Sequence, residues 1–158
     1  MFYKVLVVLH LLGAATWVGG HIVLVLSVLP AALKKHDPKS IVEFEQGYGK
    51  VGLLAMALQL ITGAWLASFW LGGWGNIFNS SVPASRLVLI KLALLIATLG
   101  QAGHAYHRIL PRLRAEATDP LGGTPSALRT FAVHASITTV FAVLMLVVGA
   151  SIRLGGFS

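Results

Sequence analysis

Six histidines are the side chains in this sequence best suited to chemistry, and four of them fall within long apolar stretches. These four are His10, His21, His104 and His134. His36 sits in a polar turn and His107 stands beside Arg108, so both read as structural. Imidazole ligates copper, zinc, nickel and haem iron, and neutral imidazole also carries protons. The chain has no cysteine, which excludes disulfides, thiolate metal sites and cysteine nucleophiles. Met56 and Met145 are the thioethers inside the apolar stretches, a thin supply for a soft copper(I) relay. By ligand type, histidine-rich binding of copper or bis-histidine ligation of haem b fits better. A haem could join His21 to His104 or His134, and a second could use His10 with Met145. The plain alternative is that each histidine hydrogen-bonds a neighbouring helix. Such bonds are worth only ~0.6–2 kcal/mol each, a weak reason for four of them in one small bundle.

The elements that must position these residues are membrane helices. Val5 to Leu29 runs 25 residues without a formally charged side chain, and a spanning helix needs ~20. That is too long for the ~7–15-residue apolar core of a signal peptide. Of the 158 residues, 56% are hydrophobic and 11% charged, with a mean hydropathy of +0.82. Ordinary globular chains carry roughly 25% charged residues. Spans are expected at about 5–30, 49–71, 86–110 and 128–153, forming one all-α, up-and-down four-helix bundle in the lipid bilayer. Ser40 and Glu43 predict a capping box opening the second helix near Ile41. Pro111 is expected to stop the third, and Arg112 to Pro125 to form a polar loop.

The net charge of +7 is explained by topology rather than nucleic-acid binding. Lys34, Lys35, Lys39, Arg108, Arg112, Arg114 and Arg129 gather at one end of the bundle, which the positive-inside rule places in the cytoplasm. Both termini are then expected on the periplasmic face of a bacterial inner membrane. At 1.5 Å per residue, His21 lies ~16 Å deeper than His10 and within about 20° of it on the helix wheel. His21, His104 and His134 therefore reach one depth near the basic end. His10 and Met145 reach another near the termini. Helix two offers a third lining stripe through Glu45, Gly49, Gly52, Met56, Gln59 and Gly63. Lys91, five residues into helix three, is expected to snorkel outward. There is no nucleophile–base pair, nucleotide loop or intramembrane carboxylate pair, so a hydrolase is not indicated. Exposed small-residue faces allow a homo-oligomer.

The stretch from His10 to Gly20, His-Leu-Leu-Gly-Ala-Ala-Thr-Trp-Val-Gly-Gly, resembles the first-helix signature of the copper-resistance protein CopD family. So do Thr62-Gly63, the segment Arg86 to Leu92, and Leu110-Pro111-Arg112-Leu113. The likeness covers nearly the whole chain. It implies a membrane protein that handles copper for uptake or tolerance, often beside a periplasmic copper-binding partner. An acidic residue is common in that family near the position of His134, and His104 is not general to it. More distantly the chain is similar to the HemJ family of haem-associated proteins through His10, Trp17, Gly20 and Lys91-Leu92. That likeness implies a haem-dependent redox or electron-transfer protein with a redox partner. A structural or assembly subunit of a membrane complex is the third reading.

Overall fold

The computed structural model describes residues 1–119 and 126–153. Four long helices carry the chain: α1, Phe2–Lys35; α2, Pro38–Leu71; α3, Pro83–Thr118; and α4, Ser126–Arg153. Each is long and apolar enough to cross a bilayer. A 34-residue helix is ~51 Å long, well beyond the ~30 Å hydrocarbon core. The first three therefore project past the hydrocarbon.

Consecutive helices pack side by side, and α4 closes the ring against α1. The outer surface is apolar: Leu26, Leu53 and Ile96 stand 75%, 71% and 70% exposed. Such a surface belongs in lipid, and the protein is a multi-pass, all-α membrane bundle. The core is split in two. At the basic end, Leu24, Leu29, Ile41, Leu113, Leu128 and Phe131 pack together. Midway along, Trp17, Val18, Ala55, Met56 and Ala142 form a second cluster, flanked by Leu95 and Met145.

Pro111 does not end the third helix as the sequence predicts, and the first helix likewise passes its own proline. Helix α1 runs through Pro30 to Lys35, and α3 runs through Pro111 to Thr118. Proline lacks an N–H and its ring crowds the carbonyl four residues back. Both helices answer with a wide π turn just upstream, at Leu24–Val28 and at Ala105–Ile109. The Leu29 N–H bonds the Leu24 carbonyl and the Leu110 N–H bonds the Ala105 carbonyl. The wide turn shifts the bonding register, and the helix continues.

The turns are equally local. His36 takes a left-handed conformation (φ 52°) and ends α1, its N–H bonding Leu33 O and that of Asp37 bonding Ala32 O. The cap of α2 is Asp37, one turn before the predicted Ser40. Its carboxylate accepts from the Lys39 N–H at 3.0 Å and from the Ser40 hydroxyl. Glu43 instead pairs with Lys39 at 3.8 Å. Gly72 and Gly73, both at positive φ, close α2, and Ser85 on α3 ties back to the Asn76 carbonyl at 2.9 Å. At the other end Glu116 on α3 accepts the Ala127 N–H at 2.9 Å. This carboxylate sits where the helix dipole of α4 favours it. The expected polar loop from Arg112 to Pro125 is helical as far as Thr118, and its remainder at 120–125 and the chain beyond Arg153 lie outside the described residues.

Candidate functional site

Near the termini, all four helices converge on one polar cluster. His10 of α1 places Nδ1 2.8 Å from the Thr62 hydroxyl of α2. The single hydroxyl proton of Thr62 goes to the Leu58 carbonyl at 2.6 Å, so Thr62 accepts and His10 Nδ1–H donates. Nε2 therefore keeps its lone pair. Facing it at 3.5 Å is Lys91 Nζ from α3. Gln59 donates its amide N–H to the His10 carbonyl. Glycines make the space: a Cβ at Gly63 would lie 3.1 Å from His10 Cε1, and one at Gly149 of α4 would lie 2.9 Å from Lys91 Nζ. Lys91 thus points inward, across Gly149, rather than snorkelling along its own helix as the sequence suggests.

One to two turns deeper lies the apolar cluster around Trp17. It brings Met56 of α2 and Met145 of α4 into the same packed group. Met145 therefore belongs with Trp17 and Leu95, while Gly149, a turn further on, occupies the level of His10. Deeper again, His21 donates Nδ1–H to the Trp17 carbonyl at 2.9 Å. Its ring lies against the Trp17 indole with centroids 4.7 Å apart. Tyr48 of α2 meets the same ring edge-on at 6.4 Å, and its hydroxyl donates to the Thr16 and Trp17 carbonyls at 2.9 and 3.2 Å. Gly20 leaves the opening that the Tyr48 ring fills.

At the basic end, His104 of α3 and His134 of α4 stack nearly parallel, with centroids 5.1 Å apart and planes 15° apart. His134 donates Nδ1–H to the Thr130 carbonyl at 3.0 Å. His104 and His107 are both exposed, but the His107 ring lies edge-on to Tyr106 of its own helix, so His104 is the one of the two that meets a neighbouring helix. The structure pairs His104 with His134 and sets His21 against Trp17 and Tyr48. Among the described residues, no three His, Asp or Glu side chains cluster as a closed metal cage. The sequence pairs His21 with His104 or His134 about a haem; in the structure the His21 ring rests on Trp17 and Tyr48, and His104 stacks on His134.

A family model described as copper resistance protein D matches residues 42–152. The chain belongs to that family. No curated protein and no solved structure matches the chain. Being of the CopD family makes it a membrane copper-resistance protein. The matched stretch takes in Thr62-Gly63 and Lys91, and in this CopD chain those residues close on His10 from the preceding helix.

Sequence reasoning missed the contacts of four residues here. Lys91 read as a peripheral charge, because depth along one helix does not say which way a flexible side chain turns. Gln59 reads only as part of the lining stripe of helix two and Thr62 only as part of a family motif, and neither reading says which atoms of His10 they meet. Tyr48 reads as part of the amphipathic, interfacial start of helix two, and the small residue opposite it, Gly20, is the signal that a ring enters there.

Proposed function

We propose that this protein handles copper as cargo within the inner membrane, binding it or passing it across on a short series of imidazole and thioether side chains. The observation that carries this reading is a shared tautomer. His10, His21 and His134 each commit Nδ1–H to an acceptor inside the protein, leaving Nε2 as the ligating atom. Metal-binding histidines are commonly oriented in this way.

The levels succeed one another along the bundle. His10 lies toward the termini, which this reading places on the periplasmic face, where a copper-binding partner would deliver the ion. Met56 and Met145 follow in a dry cluster, and thioethers favour copper(I). His21, then His104 with His134, complete the series toward the cytoplasm. No level is a closed cage, which suits an ion that must leave as readily as it arrives. Haem is not favoured, since His21, which would pair with His104 or His134 about the iron, rests instead on Trp17 and Tyr48.

The test is an anaerobic copper(I) titration of the purified protein in detergent against a chromophoric chelator. Copper should bind, and His10→Ala and the double change Met56→Leu with Met145→Leu should each weaken it at least tenfold. A chain that leaves all the copper with the chelator would overturn the proposal. Purification as a red protein with a Soret band would favour haem instead.

A further inference from the structure

Two cavities of opposite character flank α4 near the basic end, one against α3 and the other against α1. One, of about 380 Å³, is lined by His104, Arg108 and Arg112 of α3 and by Thr130 of α4. The other, of about 460 Å³, lies between α1 and α4 and is apolar, walled by Val25, Leu29 and Pro30 with Val133 and Ile137. Thr130 and Val133 are three residues apart, hence neighbours on the helix surface, and both are exposed. The basic cavity reaches α4 at 127 and 130, the apolar one at 132–137. Their centres on α4 differ by about six residues, so the apolar cavity lies ~9 Å deeper at 1.5 Å per residue.

His104, Arg108 and Arg112 recur every four residues and so share one face of α3. The ion pair found among the described residues is Lys39–Glu43, and neither arginine has a carboxylate partner among them. Two permanent cations without a counter-charge at the level of the headgroups, above an apolar groove, complement a molecule with an anionic head and a hydrocarbon tail. Guanidinium also binds phosphate through paired N–H donors.

We infer that this face is a binding site for an anionic phospholipid, with the phosphodiester against Arg108 and Arg112 and an acyl chain laid across Val133 into the apolar groove. Basic recesses between spans on the cytoplasmic side have the chemistry for such headgroups. The site is independent of the copper ligands His10, Met56 and Met145. It does bear on the neighbouring imidazoles, because a bound phosphate offsets the repulsion that two guanidiniums exert on a cation near His104 and His134.

Native mass spectrometry of the intact protein released from detergent tests this. The protein is titrated with phosphatidylglycerol, with phosphatidylcholine of the same acyl chains, or with inorganic phosphate. Phosphatidylglycerol should bind at least tenfold more tightly than phosphatidylcholine, and inorganic phosphate should not displace it at millimolar concentration. Arg108→Gln with Arg112→Gln should abolish the preference, while Arg114→Gln should keep it. Val133→Trp, which fills the ridge and leaves both charges, should weaken both lipids together. Equal binding of the two lipids by the native protein would overturn the inference, as would an undiminished preference in the double variant. Displacement by inorganic phosphate would reassign the cavity to a free anion. Copper(I) affinity measured on the same double variant reports separately on the His10 and thioether levels, and its retention with loss of the lipid keeps the two proposals distinct.

Discussion

His10 Nε2 and Lys91 Nζ lie 3.5 Å apart, an imidazole lone pair on α1 facing an amine from α3. The ring cannot turn away, because its Nδ1–H is held by Thr62 and its edge rests on Gly63. Any cation that takes Nε2 must therefore displace the Lys91 N–H from it.

This competition gives the first prediction. Lys91→Met keeps the length of the stem and removes the donor. It should tighten copper(I) at His10 about tenfold, since tenfold corresponds to ~1.4 kcal/mol and a hydrogen bond to a charged group is worth ~1.5–3 kcal/mol. Chelator competition measures it. Weaker binding in Lys91→Met would mean that the amine is itself a ligand.

Thr62→Val tests the tautomer. Thr62 is 2% exposed, and valine has nearly its shape but no acceptor for Nδ1–H. An unpaired buried donor costs about 1–3 kcal/mol, so thermal unfolding in detergent should shift down. Nitrogen NMR of labelled histidine should show His10 losing its single tautomer. An unchanged spectrum would place the Nδ1 proton elsewhere.

The two adjacent glycines of α1 should behave differently. A Cβ at Gly20 would overlap the Tyr48 ring, whereas one at Gly19 meets nothing within 4 Å. Gly20→Ala must expel that ring, breaking its bonds to the Thr16 and Trp17 carbonyls, and overpacking of this kind costs ~1–3 kcal/mol. Gly19→Ala should be neutral or slightly stabilising. Melting temperatures of the two variants decide it, and equal values would contradict the packing of Tyr48.

How much of this was legible follows from which interactions are local. The four spans were readable because lipid tolerates little but apolar side chains over ~20 residues, a signal that survives without any neighbour. His104 with His134 was readable too, since depth along two antiparallel helices nearly suffices to pair them. The direction of Lys91 was not, because it depends on the missing side chain of Gly149 on another helix. The passage of helices through Pro30 and Pro111 was also hidden. A proline announces a lost hydrogen bond, but whether the chain stops or widens by one residue depends on the packing beyond it, here Leu29, Ile109 and Leu113 in the basic-end core.

His36 supplies a prediction separate from copper. It ends α1 in a left-handed conformation that glycine adopts without the steric cost other residues meet. His36→Gly relieves about 1–3 kcal/mol of left-handed strain and gives back roughly 0.4–1 kcal/mol through the freer unfolded chain, so stability should rise. Copper(I) affinity should not move. A loss of affinity in His36→Gly would bring this loop histidine into the ligand series.

The next residue, Asp37, gives the pH dependence. The Ser40 hydroxyl, with smaller help from the Lys39 and Ser40 N–H groups and the Lys39 charge, holds its carboxyl below the usual carboxylate range. A carboxyl with a lower pKa folded than unfolded binds fewer protons when folded, so stability rises with pH through that window. Its contribution is complete above the ordinary carboxylate range and lost as pH falls through the folded value below it. Asp37→Asn keeps a capping acceptor but cannot titrate. The difference in melting temperature between native protein and Asp37→Asn should therefore be constant from pH 8 to about pH 5 and shrink below about pH 4. The exposed site makes the effect small, and 0.5 M salt should reduce only the part due to Lys39, because screening weakens the charge while the hydroxyl bond remains. A difference that persists unchanged at acid pH would mean that the Asp37 carboxylate does not hold the start of α2.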